Sequence, residues 1–264
     1  MHDHALWRRL VAELLGSAFL AAIVVGSGIA AQRLSPGNVG LELFENAAAT
    51  AAGLYAVLLI FGPISGAHLN PVVSLVDAAF GGLRWRDAGA YLPAQVGGCI
   101  AGAVVANLMF GRAAISISTK QRGSGAHFLS EIVATLGLLL VIFALARSGR
   151  SRSAPAAVGA YIGAAYFFTS STGFANPAIT LGRMFSNTFA GIAPAAVPVF
   201  VAAQVAGGVI ALLVIRLLYP TLTPAQAAEV VVPHPGPSPE DPTAGDGNDP
   251  DAVTGIRPIR SESR

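Results

Sequence analysis

The sequence predicts an all-α membrane protein, with six transmembrane helices and two re-entrant half-helices arranged as two inverted repeats. Three observations carry this. The chain of 264 residues is 53% hydrophobic and only 11% charged, with a mean hydropathy of +0.62, a balance that a water-soluble domain of this length rarely tolerates. Apolar runs long enough to cross a hydrocarbon core of about 30 Å recur along it. The same three landmarks also occur twice, in the same order.

The apolar runs lie at roughly 10–31, 46–64, 88–110, 126–146, 154–172 and 193–219. The first follows Arg8-Arg9, as a signal peptide would, but at about 22 residues it exceeds a usual signal core and its counterpart recurs later, so it reads as a span. Charge is segregated: seven of the fourteen acids lie after Pro220, whereas Arg8, Arg9, Arg84, Arg86, Arg147, Arg150, Arg152 and Arg216 fall in connections that share one side if six spans alternate. The positive-inside rule makes that side cytoplasmic and places both termini there; Arg33, Arg112, Lys120 and Arg122 on the other side make this a bias and not an absolute. The single cysteine, Cys99, excludes an intrachain disulfide and a multi-cysteine metal site, and reads as packing within span 3.

The repeats are about 6–110 and 126–219. Glu13 in Ala-Glu-Leu-Leu-Gly-Ser matches Glu131 in Ser-Glu-Ile-Val-Ala-Thr, Asn70-Pro71 matches Asn176-Pro177, and Gln95 with Gly97-Gly98 matches Gln204 with Gly207-Gly208. Three spans per half invert the second half, so the repeats are related by a pseudo-two-fold axis in the membrane plane. Between the second and third span of each half comes a loop feeding a short helix: Gly62 to Pro71 with an apolar run to Phe80, and Ser170 to Pro177 with helix to about Phe185. Asn suits the cap and Pro the first helical position, where a missing N–H costs nothing. At near ten residues each helix is roughly 15 Å long and covers half a membrane, so the two meet at the midplane. Irregular backbone at that depth is tolerated only where protein buries it or a wet cavity accepts its hydrogen bonds, which implies a pore or binding site.

Ser-Gly-Ala-His-Leu-Asn-Pro, the second Asn-Pro-Ala and the paired Glu and Gln landmarks together resemble the aquaporin, or major intrinsic protein, family over about residues 6–219. The resemblance implies an aquaporin-like homotetramer in the inner membrane, with one pore per protomer for small neutral solutes and a single-file path formed by loop carbonyls and the Asn70 and Asn176 amides. It implies a channel and not an enzyme, without cofactor, metal or nucleic-acid partner. The motifs are Asn70-Pro71-Val72 and Asn176-Pro177-Ala178; Val72 stands where the family usually has Ala. By family spacing the narrow outer filter falls at Thr50, Ala164, Gly173 and Ile179, with Ile179 in the position of the usual arginine. None of these is charged, aromatic or histidine, which leads to the expectation of a wide, less polar constriction. Arg183, one turn past Ile179, reads as a surface or tetramer-contact arginine, with a reach back to the pore mouth as the alternative. Bacterial members associated with arsenic detoxification look similar, sharing Gly-Phe-Ala-Asn-Pro-Ala and the aliphatic residue, so the implied solutes include As(OH)3, methylated arsenicals and glycerol-like polyols. The alternatives are an ordinary water channel and, from another class, a secondary transporter, since inverted repeats with broken helices also serve alternating access.

Glu13 and Glu131 are carboxylates within spans and read as acceptors that hold the re-entrant loops, with a proton relay as the other reading. Gln95 and Gln204 read as polar links between helices and loops. His68 reads as pore-lining, against a loop contact or a pH gate. Residues 220–264 are rich in Pro, Gly and Asp and form a disordered cytoplasmic tail by composition.

Overall fold

Nine α-helices run through the residues described by the computed structural model, 5–221 and 223–228. Five stretches are long and apolar enough to cross a membrane: α1 (Leu6–Leu34), α2 (Val39–Ser65), α4 (Trp85–Met109), α5 (Gly125–Arg147) and the 194–218 stretch that contains α8 (Val197–Leu218). The expected fifth span is α6 (Ala154–Phe168), which has only 15 residues, or about 22 Å. It stops short of Thr172 because the chain turns extended at Thr169, whose hydroxyl and N–H both donate to the Ala165 carbonyl. No strand occurs among the described residues.

The half-helices are α3 (Pro71–Phe80) and α7 (Pro177–Arg183). α3 ends where Gly81 turns left-handed at φ 82° and its N–H returns to the last carbonyls. α7 is shorter than the run to Phe185 that the sequence suggests. The carbonyls just past its end are taken by α4 and the loop that follows α4: Ser118 N–H donates to that of Met184, and Ser116 N–H and Asn107 Nδ2 donate to that of Phe185.

Packing follows the two-fold relation. α1 lies against α4 as α5 lies against α8; α3 meets α8 as α7 meets α4; α2 and α6 pair across the axis. Small residues permit these approaches. A Cβ on Gly98 or Gly102 would run into the carbonyls of Leu14 and Ala18, and one on Gly207 would stand 2.7 Å from the Ile132 carbonyl. Large apolar side chains such as Phe19, Ile60 and Leu213 are more than half exposed on the outer faces, as a lipid-facing surface requires. At one end, Arg9 ties α1 to α4 through Asp87 (3.0 Å) and the Tyr91 hydroxyl (2.8 Å), and that hydroxyl donates to the Ser65 carbonyl at the end of α2.

The expectation of a structureless tail from residue 220 does not hold through Ala228. α9 (Pro224–Ala227) carries a Thr223–Gln226 capping box, and Ala227 and Ala228 are buried. Gly81 and Gly82, just past α3, leave the room it occupies, since a Cβ on Gly82 would stand 2.7 Å from Ala227 backbone. The remainder of that expectation lies outside the described residues.

Candidate channel site

The site is built from two loops with one backbone plan. Counting from each Asn, the fourth, third and first residues before it are left-handed: Gly66, Ala67 and Leu69 at φ 85°, 46° and 51°, and Thr172, Gly173 and Ala175 at 67°, 57° and 49°. All four non-glycine residues with positive φ among the described residues lie here. Such backbone is unfavourable and persists only where its surroundings over-determine it. Ser65 and Ser171 each accept an N–H two residues on, from Ala67 at 3.1 Å and Gly173 at 3.2 Å. Glu13 then accepts the N–H groups of His68 (3.0 Å) and Leu69 (2.7 Å), as Glu131 accepts those of Phe174 (2.9 Å) and Ala175 (2.8 Å). Each carboxylate is steadied by a glutamine: Gln95 donates to Glu13 at 2.8 Å and Gln204 to Glu131 at 2.7 Å.

The two Asn side chains lock the loops together. Asn70 Oδ1 accepts the Val72 N–H, and Asn176 Oδ1 accepts those of Ala178 and Ile179, so each caps its own half-helix. Each Nδ2 crosses to the other loop at 2.7 Å, Asn70 donating to the Ala175 carbonyl and Asn176 to that of Leu69. Val72 is buried, and Gly208 gives it room: a Cβ there would lie 2.5 Å from Val72 Cγ1.

A narrow cavity of about 60 Å³ runs past both asparagines, with mostly apolar walls supplied by residues such as Leu20, Val24, Leu138 and Ile142. That is room for a few water-sized molecules. Of the expected filter residues, Thr50, Gly173 and Ile179 border it. Ala164 does not: it is exposed on the far face of α6, because residues two apart on a helix lie about 200° apart. Val158, Ile162 and Tyr166, spaced by four, form the cavity face instead, and the Tyr166 hydroxyl lies 3.1 Å from Thr50 Oγ1. An aromatic therefore stands on the α6 side of the cavity, where the small Ala164 was expected. Gly173 has a positional reason, since a Cβ there would lie 2.6 Å from that of Ala165.

His68 borders the cavity and also contacts α3, with Nδ1 3.0 Å from Ser74 Oγ and Nε2 3.4 Å from Asp77. Arg183 is not at the surface. It is 2% exposed and borders the cavity; its Nε donates to the Ala190 carbonyl, and its guanidinium sits 3.4 Å from the Phe174 ring centroid. The helix is rolled so that the residue seven past Asn176 turns inward beneath Phe174, as Asp77, seven past Asn70, turns beneath His68. That repeated spacing is the sequence signal that would have found it.

Two further cations belong to the loop before α5. Arg122 donates to the carbonyls of Gly191, Ser171 and Phe189 at 2.9, 3.2 and 3.3 Å, and Lys120 Nζ to that of Phe189 at 2.8 Å. Burial, with the charges of Arg122 and Arg183 nearby, lowers the Lys120 ammonium to about 8. No cluster of three or more His, Cys, Asp or Glu suited to a metal occurs among the described residues.

Two capped half-helices end to end inside a helical bundle, bordered by a narrow cavity, define a membrane channel. The chain belongs to the major intrinsic protein family, whose pattern it matches over residues 1–175. It is 50% identical over 218 residues to aquaglyceroporin AqpS of Rhizobium meliloti, covering 83% of this chain and 93% of that protein. To the glycerol uptake facilitator protein of Pseudomonas aeruginosa it is 32% identical over 224 residues, 73% of this chain and 78% of the other. The X-ray structure of the aquaglyceroporin from Plasmodium falciparum shares the fold at a TM-score of 0.62 and 21% identity, over 82% of this chain and 98% of that one. The protein is a passive membrane channel for small solutes and not an enzyme.

Proposed function

We propose that the cavity between the half-helices is the conducting path for neutral polyhydroxyl solutes, glycerol and As(OH)3 among them, with some water passing as well. The observation that carries this is Ile179, an aliphatic residue three past Asn176 that borders the cavity where family members usually carry an arginine. Without a guanidinium fork at that level, a solute larger than water meets an apolar wall and a single row of hydrogen-bond partners. The relatives described as aquaglyceroporins and a glycerol facilitator support the same solute class.

In this reading Asn70 and Asn176 each have one amide hydrogen committed to the opposite loop and a second to offer a passing oxygen. Thr50, Tyr166, Gly173 and Ile179 form the constriction, His68 lines the other half of the path, and Glu13 and Glu131 hold the loops without touching solute. The working unit is a homotetramer in the inner membrane, with both termini cytoplasmic.

The test is stopped-flow swelling and shrinkage of proteoliposomes with water, glycerol and arsenite, comparing the native chain with Ile179→Arg. The expected outcome is a loss of about tenfold or more for glycerol and arsenite and of less than about threefold for water. A native chain that passes water alone is an ordinary water channel, and saturable, ion-dependent flux belongs to a transporter. Equal loss for all solutes means that the constriction lies elsewhere.

A further inference from the structure

Arg183 is the one guanidinium among the described residues that borders the cavity. Its neighbour Arg122 is a structural arginine, with Nε, Nη1 and Nη2 all given to backbone carbonyls. Arg183 is held differently. Its Nε donates to the Ala190 carbonyl and its plane lies on Phe174, which fixes the group while leaving Nη1 and Nη2 without a protein acceptor among the described residues. No carboxylate pairs with it there either. A guanidinium 2% exposed and unpaired by an acid is costly unless polar groups meet its remaining N–H bonds, and the side left open to it is the cavity.

The position along the path follows from α7 itself. Asn176 caps the helix at the meeting of the loops, Ile179 comes about one turn out, and Arg183 about one turn beyond that. The aliphatic waist is therefore followed by a fixed charge whose donors face the path. The other half has no equivalent, because its residue seven past the Asn is Asp77, which is packed against His68 and does not border the cavity.

We propose that Arg183 is a specificity-determining residue of the channel: its terminal N–H groups donate to hydroxyl oxygens of solutes at this mouth, and its charge rejects cations there. This rests on the cavity being the conducting path. The guanidinium charge is thus displaced about one turn from the level of Ile179, which leaves that level open to larger solutes while the mouth stays positive.

The test compares native, Arg183→Gln and Arg183→Lys chains in proteoliposomes, measuring potassium leak and the glycerol-to-water permeability ratio, with size-exclusion profiles as a check on folding. Arg183→Gln removes the charge and is expected to raise potassium leak about tenfold or more. Arg183→Lys keeps the charge but not the planar fork; it is expected to hold leak at the native level and to lower the glycerol-to-water ratio about threefold or more. A folded Arg183→Gln chain with native leak and ratio overturns the proposal. If Arg183→Gln does not fold, the lysine chain decides alone, and a native ratio there overturns it. A native chain that passes no solute refutes the conducting path itself, an outcome distinct from either.

Discussion

Replacing Glu13 by Gln is expected to loosen the first loop by an amount that the bond geometry sets. Glu13 Oε1 accepts from Ser65 Oγ (2.6 Å) and His68 N (3.0 Å), and Oε2 from Leu69 N (2.7 Å) and Gln95 Nε2 (2.8 Å). An amide turns one oxygen into a donor. Whichever way it sits, the N–H of His68 or of Leu69 faces another N–H and is orphaned, at about 1–3 kcal/mol. The two bonds to the remaining oxygen lose their charge assistance, about 1 kcal/mol each. Release of the carboxylate's desolvation offsets a share of this total, leaving about 2–3 kcal/mol net. At roughly 2–4 °C per kcal/mol for a chain of this size, the unfolding midpoint in detergent should fall by about 4–12 °C, with solute flux falling in parallel as Ala67 and Leu69 relax from their left-handed backbone. Glu131→Gln should act the same way, since Phe174 and Ala175 N–H groups depend on it. A midpoint within about 2 °C of native for both variants would refute the idea that the carboxylates hold the loops.

Gly173→Ala places a Cβ 2.6 Å from that of Ala165 on a residue already at φ 57°, so it is expected to cost about 1–3 kcal/mol and to cut glycerol flux more than water flux, read by thermal unfolding and stopped-flow swelling. Lys120 gives a pH signature. Its ammonium, lowered to about 8 mainly by burial, releases its proton in the folded chain before it does so in the unfolded chain, near 10.4. The unfolded state then binds more protons between those values, so stability should rise as pH climbs from about 8 to about 10. Thermal unfolding across that range should show the rise in the native chain and lose it in Lys120→Met.

The half-helices are legible in the sequence because their determinants are local. An Asn that caps, a Pro that needs no N–H and a glycine-bearing loop before them specify a helix start without help from the rest of the chain, and both starts are where the motifs put them. The glutamates are legible through symmetry, since a buried carboxylate recurring at matched places asks for matched donors. Counting fails across irregular backbone. Ala164 and Asn176 are separated by an extended segment from Thr169 whose length no helical period fixes, so spacing alone misses the cavity face, while the four-residue rhythm of Val158, Ile162 and Tyr166 carries it. Arg183 is hidden from the sequence for a different reason. Arginines are seldom buried, and the groups that bury this one, Phe174 and the Ala190 carbonyl, come from either side of α7. The folded start of the tail depends on room left by Gly81 and Gly82, a contact between segments distant in sequence.

The repeat divides its positions into two kinds, those that hold the loops and those that differ between the halves. Residues that hold backbone are the same or similar in both halves: Ser65 and Ser171, Glu13 and Glu131, Gln95 and Gln204, Ser74 and Thr180, and the two asparagines. Three past each Asn, Val73 and Ile179 both border the cavity and both are aliphatic, so the two halves are alike at that level. The halves diverge at the second residue before the Asn and the seventh after it, with His68 and Asp77 in one and Phe174 and Arg183 in the other. These positions are free to differ, because the glutamates hold the loops through the backbone N–H groups of His68 and Phe174 and use none of the four side chains. In the proposed path, halves that are alike at this level still differ at their ends, by one imidazole beside an acid against one guanidinium on a ring.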